Sequence, residues 1–230
     1  MTWRVNMKIS NETLQILKNF ATINTNMILR PGKQLATMAT AKNVFAVADI
    51  AEEIPRTVAI YDLNSLLALL TLGEGSEIEF GEESLNITIE GGGEFEYFYS
   101  DERLVTAAPP AGKTIQIDEH YKFDLSASDV QTIQKAIAIT ASPHLFVTRE
   151  DGEVTLSVQD KKNKKANSFK KKLGSSEGPG FTAILDVSLF KIIPDSYNVT
   201  VSAKRFMHFK HATKPVQYWL ALDTDSAFVS

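Results

Sequence analysis

Apolar positions along this 230-residue chain follow two rhythms. Between Asn11 and Ile23, Leu14, Ile16, Leu17, Phe20 and Ala21 share one arc when residues are placed about 100° apart, and Gln15, Lys18, Asn19 and Thr22 share the other. That predicts an amphipathic helix capped by Ser10 or Asn11. Residues 127–140 repeat the design, with Val130, Ile133, Ala136 and Ile137 inward and Gln131, Gln134 and Lys135 outward. Shorter, more apolar stretches predict helices over 63–72 and 187–193. Asp62 and Asp186 precede them as N-caps, and Pro194 closes the last. Elsewhere the period is two. Residues 77–80, 84–89 and 198–201 read as strands, and 94–99 and 217–222 as aromatic-rich ones. Residues 27–36 read as a hairpin turning at Pro31-Gly32, and 145–158 as its counterpart turning at Asp151-Gly152.

The pattern also recurs at long range. Met7-Lys8-Ile9-Ser10, followed by Leu14 to Lys18, reappears 116 positions later as Phe123-Asp124-Leu125-Ser126, followed by Val130 to Gln134. Ala59-Ile60-Tyr61-Asp62-Leu63 reappears 124 positions later as Ala183-Ile184-Leu185-Asp186-Val187. The chain therefore reads as an α+β protein of two similar domains, each mostly antiparallel sheet with two helices on one face. Domain boundaries are expected at 1–108 and 121–230, joined by a linker over 109–120 that contains Pro109, Pro110 and Gly112. The first six residues read as an extension or as an alternative start before Met7.

Composition narrows the function classes. The net charge of −4 argues against gripping nucleic acid by overall charge, and the absence of cysteine removes disulfide and thiolate chemistry. No apolar run approaches the roughly 18 residues of a membrane helix. The halves differ: residues 1–110 hold 8 basic against 15 acidic residues, a net of −7, and 111–230 hold 16 against 13, a net of +3. Such asymmetry can orient one subunit's first domain against another's second.

No catalytic constellation stands out. Gly91-Gly92-Gly93 lacks the Lys-Ser/Thr of a phosphate loop and reads as a turn. His208 and His211 have a ligand-like spacing, but strand alternation puts them on opposite faces. Glu52-Glu53 and Glu82-Glu83 read as solvated loop charges. The strongest charge cluster is Lys161-Lys162-Asn163-Lys164-Lys165 with Lys170-Lys171-Lys172. It fits a phosphate backbone or an acidic partner, and equally a solvated loop and edge strand whose lysines block aggregation.

Leu17 to Asn24, Val58 to Asn64, Tyr197, Ala203-Lys204 and Tyr218-Trp219-Leu220-Ala221-Leu222 resemble the corresponding segments of the T-even-type bacteriophage DNA polymerase sliding clamps. The resemblance implies two clamp domains per subunit and a homotrimeric ring with sheets outside and twelve helices lining a central hole. Duplex DNA passes through that hole without sequence preference. The implied partners are the DNA polymerase, an ATP-driven clamp loader and, in this phage group, late-transcription factors. No cofactor, metal or catalytic residue is implied, and the place of action is the host cell cytoplasm. The alternative is a scaffold protein of repeated β domains with no DNA role.

Three sets of residues follow. Lys18, Gln15, Asn19, Gln131, Gln134 and Lys135 on the helical polar arcs, with Lys191 inside the fourth helix, are expected to face DNA. By similarity with clamps, Val44, Ala46, Leu104, Val105, Pro109, Leu220 and Leu222 are expected to form a pocket for a partner's hydrophobic tail. A cyclic ring needs two different complementary surfaces. The expected ones are the acidic, aromatic edge of Glu94, Phe95, Glu96, Tyr97 and Tyr99 and the basic edge of Phe169, Lys170, Lys171, Lys172 and Leu173.

Overall fold

The computed structural model describes residues 6–72, 76–89, 92–110, 115, 118–175 and 177–229. The first five residues, Gly91 and most of the 111–117 stretch of the expected linker lie outside them. Contacts divide the chain into two compact units, 1–113 and 114–230. No described helix is long and apolar enough to cross a membrane.

The first unit runs β1 (Asn6–Lys8), α1 (Asn11–Ile23), β2 (Met27–Leu29), β3 (Gly32–Met38), β4 (Val44–Ile54), β5 (Val58–Ile60), α2 (Leu63–Leu70), β6 (Glu77–Phe80), β7 (Ser84–Thr88) and β8 (Glu94–Phe98). Antiparallel pairing builds a sheet in the order β1-β6-β7-β8, and β3 pairs with β4. The expected hairpin over 27–36 does not form. β2 pairs with β5, thirty positions on, through Met27–Ile60, Ile28–Ala59 and Leu29–Val58. Pro31, which has no N–H, and Gly32 at φ 110° turn the chain away instead, so that β3 joins β4.

α1 starts where the sequence predicts. The Ser10 hydroxyl accepts the Thr13 N–H at 3.2 Å. Ile16, Leu17, Phe20 and Ala21 are buried, along with Thr13 and Ile23. Phe20 alone, fully buried, is worth on the order of 2–3 kcal/mol. Leu17 of α1 and Leu66 and Leu70 of α2 close on Leu35, Ile50, Ile78 and Leu85 around a gap of only about 20 Å³.

The second unit runs β9 (Glu119–Leu125), α3 (Ala127–Thr140), β10 (His144–Glu150), β11 (Glu153–Gln159), β12 (Phe169–Ser175), β13 (Phe181–Asp186), β14 (Tyr197–Ser202), β15 (Phe206–His211), β16 (Val216–Ala221) and β17 (Ala227–Phe228). One sheet has the order β12-β11-β10-β13-β17, and β9, β14, β15 and β16 are successive neighbours in another. The hairpin of β10 and β11 turns at Asp151 (φ 50°) and Gly152 (φ 80°), as the Asp-Gly signal predicts. A capping box opens α3: the Ser126 hydroxyl accepts the Asp129 N–H, and the Asp129 carboxylate accepts the Ser126 N–H.

The expected fourth helix is absent. After Asp186 there is a single 3-10 turn, Val187–Leu189, and then coil to Pro194. Asp62 caps α2 through the N–H of Ser65, three residues on, whereas Asp186 accepts from Ser188, two residues on, which sets the tighter winding. Pro194 removes room for a further turn, and Phe190 and Ile192 are buried from the coil instead.

Candidate functional site

The polar arcs of α1 and α3 come out as two solvent-facing strips. On α1, Gln15 and Lys18 are exposed, Asn19 is half-buried, and Thr22 is exposed with its hydroxyl donating to the Asn19 carbonyl. On α3, Gln131 and Lys135 are exposed. Gln134 is half-buried, and its side-chain amide donates to the Ile192 carbonyl at 3.1 Å. It therefore braces the coil that carries Lys191 rather than standing clear of the surface. α2 contributes Asn64, Ser65 and Ala68 to its exposed side and no charge.

Lys191 is exposed but belongs to the coil after the 3-10 turn, not to a helix. That coil is fastened from several sides. Gln134 holds Ile192, the Tyr197 hydroxyl donates to the Ile193 carbonyl at 2.7 Å, and the Ala127 N–H donates to the Ser196 hydroxyl at 3.0 Å. His211, whose side chain is buried, places Nε2 3.1 Å from the Asp195 carboxylate, while its Nδ1 accepts the N–H groups of Thr213 and Lys214. Those contacts give it a structural task at the turn after β15. His208 lies between Gln217, at 3.0 Å, and the Trp219 ring stacked 4.5 Å away, and burial pushes its imidazole below the ordinary value. Neither histidine joins a metal-ligating group among the described residues.

Both strands chosen for the subunit contact end their sheets, β8 in one unit and β12 in the other. Tyr97 and the N-cap Asp62 exchange backbone–hydroxyl bonds, and the Tyr99 hydroxyl donates to the Gly81 carbonyl. Phe95, Tyr97 and Tyr99 thus share the α2 side of the sheet, and Glu94, Glu96 and Phe98 the other. Phe98 is 64 % exposed and was not singled out by the sequence. In β12, Lys171 reaches Asp129 of α3, which puts Phe169, Lys171 and Leu173 on the helix side and Lys170 and Lys172 on the opposite one. Burial raises the Asp129 carboxyl, but hydrogen bonds from Lys171 and Ser126 outweigh it and hold it below the ordinary carboxylate value. Lys172 pairs with Glu153 at 2.8 Å.

Of the expected pocket residues, Val44, Ala46, Val105, Leu220 and Leu222 are buried. Val105 packs with Ile28 and Ala59. Pro109 is half-buried, and Leu104 is 65 % exposed. The pair Glu52-Glu53 is not a loop feature. Both residues lie in β4, and the Glu52 carboxylate accepts the Ser10 N–H and, at 2.7 Å, the Thr13 hydroxyl, so it closes the start of α1 from a distant strand. Glu82 and Glu83 are exposed between β6 and β7.

The model of the DNA polymerase processivity factor family matches residues 10–105. Beyond that segment the likeness continues. The sliding clamp of Vibrio phage KVP40 is 28% identical over 221 residues, covering 94% of this chain and 99% of its own. That of Escherichia phage RB69 is 29% identical over 227 residues, covering 96% and 98%. That of Enterobacteria phage T4 is 27% identical over 226 residues, again covering 96% and 98%. Among solved structures, the PCNA2–PCNA3 complex of Sulfolobus tokodaii superposes with a TM-score of 0.67 at 12% identity, covering 96% of this chain and 99% of that one. The Proliferating Cellular Nuclear Antigen of Entamoeba histolytica gives 0.66 at 14%, covering 96% and 98%. At such low identities the structural likeness speaks to the fold, which is the α+β clamp fold.

Proposed function

We infer that the chain belongs to the T4-type phage sliding clamps, and on that premise we propose that it encircles duplex DNA and tethers the replicative DNA polymerase for processive synthesis. What carries the reading is the likeness to phage clamps over almost the whole chain, together with twin helices whose outward strips hold amides and sparse lysines. A tether that must slide cannot grip. Every tight phosphate contact would break at each step, so Gln15, Lys18, Gln131 and Lys135 supply weak, sequence-blind contacts, and topology supplies the retention. Lys191 joins them from its braced coil, and Gln134 acts by holding that coil.

The same proposal extends to a homotrimer, to loading by an ATP-driven clamp loader, to assistance of late transcription, and to action in the host cell cytoplasm as a tether rather than an enzyme. For the ring, β8 of one subunit runs antiparallel to the 167–173 edge of the next, extending a sheet across the seam. Helix side then meets helix side. Glu94, Glu96 and Phe98 meet Lys170 and Lys172 on the opposite face. Partner tails would dock beside Leu104, the exposed apolar side chain near the end of the first unit.

The deciding experiment loads the protein on a nicked circular plasmid with a phage clamp loader and ATP, then passes the mixture over a sizing column. Protein should travel with the circle and be lost once a restriction enzyme opens it. Equal retention on circular and linear DNA would overturn the encircling mechanism.

A further inference from the structure

The basic run divides once its partners are located. Lys161 turns inward and bonds Asp223 at 2.7 Å and Asp225 at 2.8 Å, tying the β11–β12 loop to the segment before β17. Lys171 is taken up by Asp129, and Lys172 by Glu153. Lys162, Lys164 and Lys165 are exposed, and none of them has an ion pair among the described residues. Their loop is not slack. The Lys162 N–H donates to Asp160, the Lys165 N–H to the Asn163 side chain and the Ala166 N–H to the Asn163 carbonyl. Ser142, just past the end of α3, donates to the Asn167 carbonyl at 2.7 Å. Three unneutralised ammonium groups thus extend from a turn whose backbone is braced, and Ser142, the residue that anchors it, lies roughly 10 Å beyond Lys135 along the α3 axis.

Two partners match such a charge, and the composition of the loop separates them. A protein partner needs an apolar or aromatic anchor at the centre of its contact, and lysine is depleted at such centres. Residues 160–168 offer none: Ala166 is half-buried, the rest are polar, and the adjoining Phe146 is 92 % covered, being only 8 % exposed. Lysines on a polar turn, flanked by the Asn163 and Ser168 side chains in a groove where Asp160 is occupied by the Lys162 N–H, are instead what non-specific phosphate contact uses.

We propose that Lys162, Lys164 and Lys165 form a second DNA-backbone contact, separate from the helical strips and beyond the C-terminal end of α3. It rests on the encircling reading. In that ring the loop touches duplex phosphates at one mouth of the hole and so gives the ring a preferred way round on DNA.

The test compares wild-type protein with the triple variant Lys162→Gln, Lys164→Gln, Lys165→Gln, leaving Lys161 in its structural pair. Affinity for a short fluorescein-labelled duplex is followed by anisotropy across a salt series. Each phosphate contact adds roughly 0.9 to the salt slope. The variant's slope should be shallower by about 2–3, so that on doubling the salt the wild type loses about sixfold more affinity than the variant. Thermal melting and oligomer mass should not change, and the Lys→Arg triple variant should restore the slope. An unchanged slope would overturn the proposal, and so would a variant whose only defect is weaker binding of the polymerase or loader, which would assign the loop to an acidic protein surface. Wild-type protein that washes off circular plasmid while keeping the slope difference would instead defeat the ring and leave the loop contact standing.

Discussion

At the scale of single residues, Glu52 shows what alternation can reveal. Ile50, Glu52 and Ile54 share one face of β4, and both isoleucines are buried, so period two already places the carboxylate on the covered side. Adjacency to Glu53 hid that signal, because a pair of acids looks solvated. Replacing Glu52 by alanine leaves the buried Thr13 hydroxyl without its acceptor and the Ser10 N–H without its partner. We expect a loss of about 1–3 kcal/mol in urea unfolding at neutral pH. The pH dependence follows in sign. Burial raises the Glu52 carboxyl, but the bonds from Ser10 and Thr13 hold it below the ordinary 4.5. A depressed folded value means that the contribution is fully present above pH 4.5 and is lost as pH falls through the folded value. The variant's stability should therefore fall less steeply in that acid range. Gln134 was not legible in the same way, since its place on the helical arc says outward and only the Ile192 carbonyl turns it into a brace.

At the scale of elements, local signals succeeded where they were self-sufficient. Ser10, Ser126 and Asp62 cap the helices that they precede, and Asp-Gly makes its hairpin. They failed where the outcome depended on distance in the chain. The Pro31-Gly32 turn is real, but nothing near it announces that β2 belongs to β5. The missing fourth helix is a matter of length: the seven positions of 187–193 are too few to repay helix nucleation with a proline waiting. α3 stops with Ala141 in the left-handed region, φ 51° and ψ 23°, a conformation that costs a residue with a β-carbon about 1 kcal/mol. Ala141→Gly should raise the melting temperature of the protein by about 1–3 °C in calorimetry. A lowered one would mean that the exposed methyl carries a contact that the folded protein needs.

At the scale of the whole molecule, the duplication was legible because it was written in caps as well as core. Ser10 and Ser126 stand 116 positions apart, Asp62 and Asp186 stand 124 apart, and all four accept the N–H that opens their element. The seam is harder to read, because a sheet edge carries its partner's address only in side chains. The position of β12 beside α3 refines which lysines can serve: Lys171 lies on the helix side against Asp129, whereas Lys170 and Lys172 share the far face, Lys172 beside Glu153 of its own sheet. Exposed pairs are worth only about 0.2–1 kcal/mol each. In the proposed seam, backbone pairing and burial of Phe98 would therefore hold the contact, and charge would select its register. Lys170→Glu with Lys172→Glu should shift the protein toward monomer in micromolar sedimentation at low salt, and adding Glu94→Lys with Glu96→Lys should partly restore the larger species. A variant that sediments unchanged would move the seam to other strands.

The two long helices begin in different ways, and the difference sets a timetable. Ser126 and Asp129 close the start of α3 within four residues of chain, so that cap can form as soon as the segment exists. The start of α1 has its local Ser10–Thr13 cap, but only Glu52, forty-two positions from Ser10, completes it, and hence only once β4 has arrived. Closing so long a loop has an entropic cost that a local cap escapes. In refolding, disturbing Ser126 should slow the rate of structure formation, whereas disturbing Glu52 should chiefly quicken its loss. The half of the chain that the ribosome makes first would then be the half that settles last.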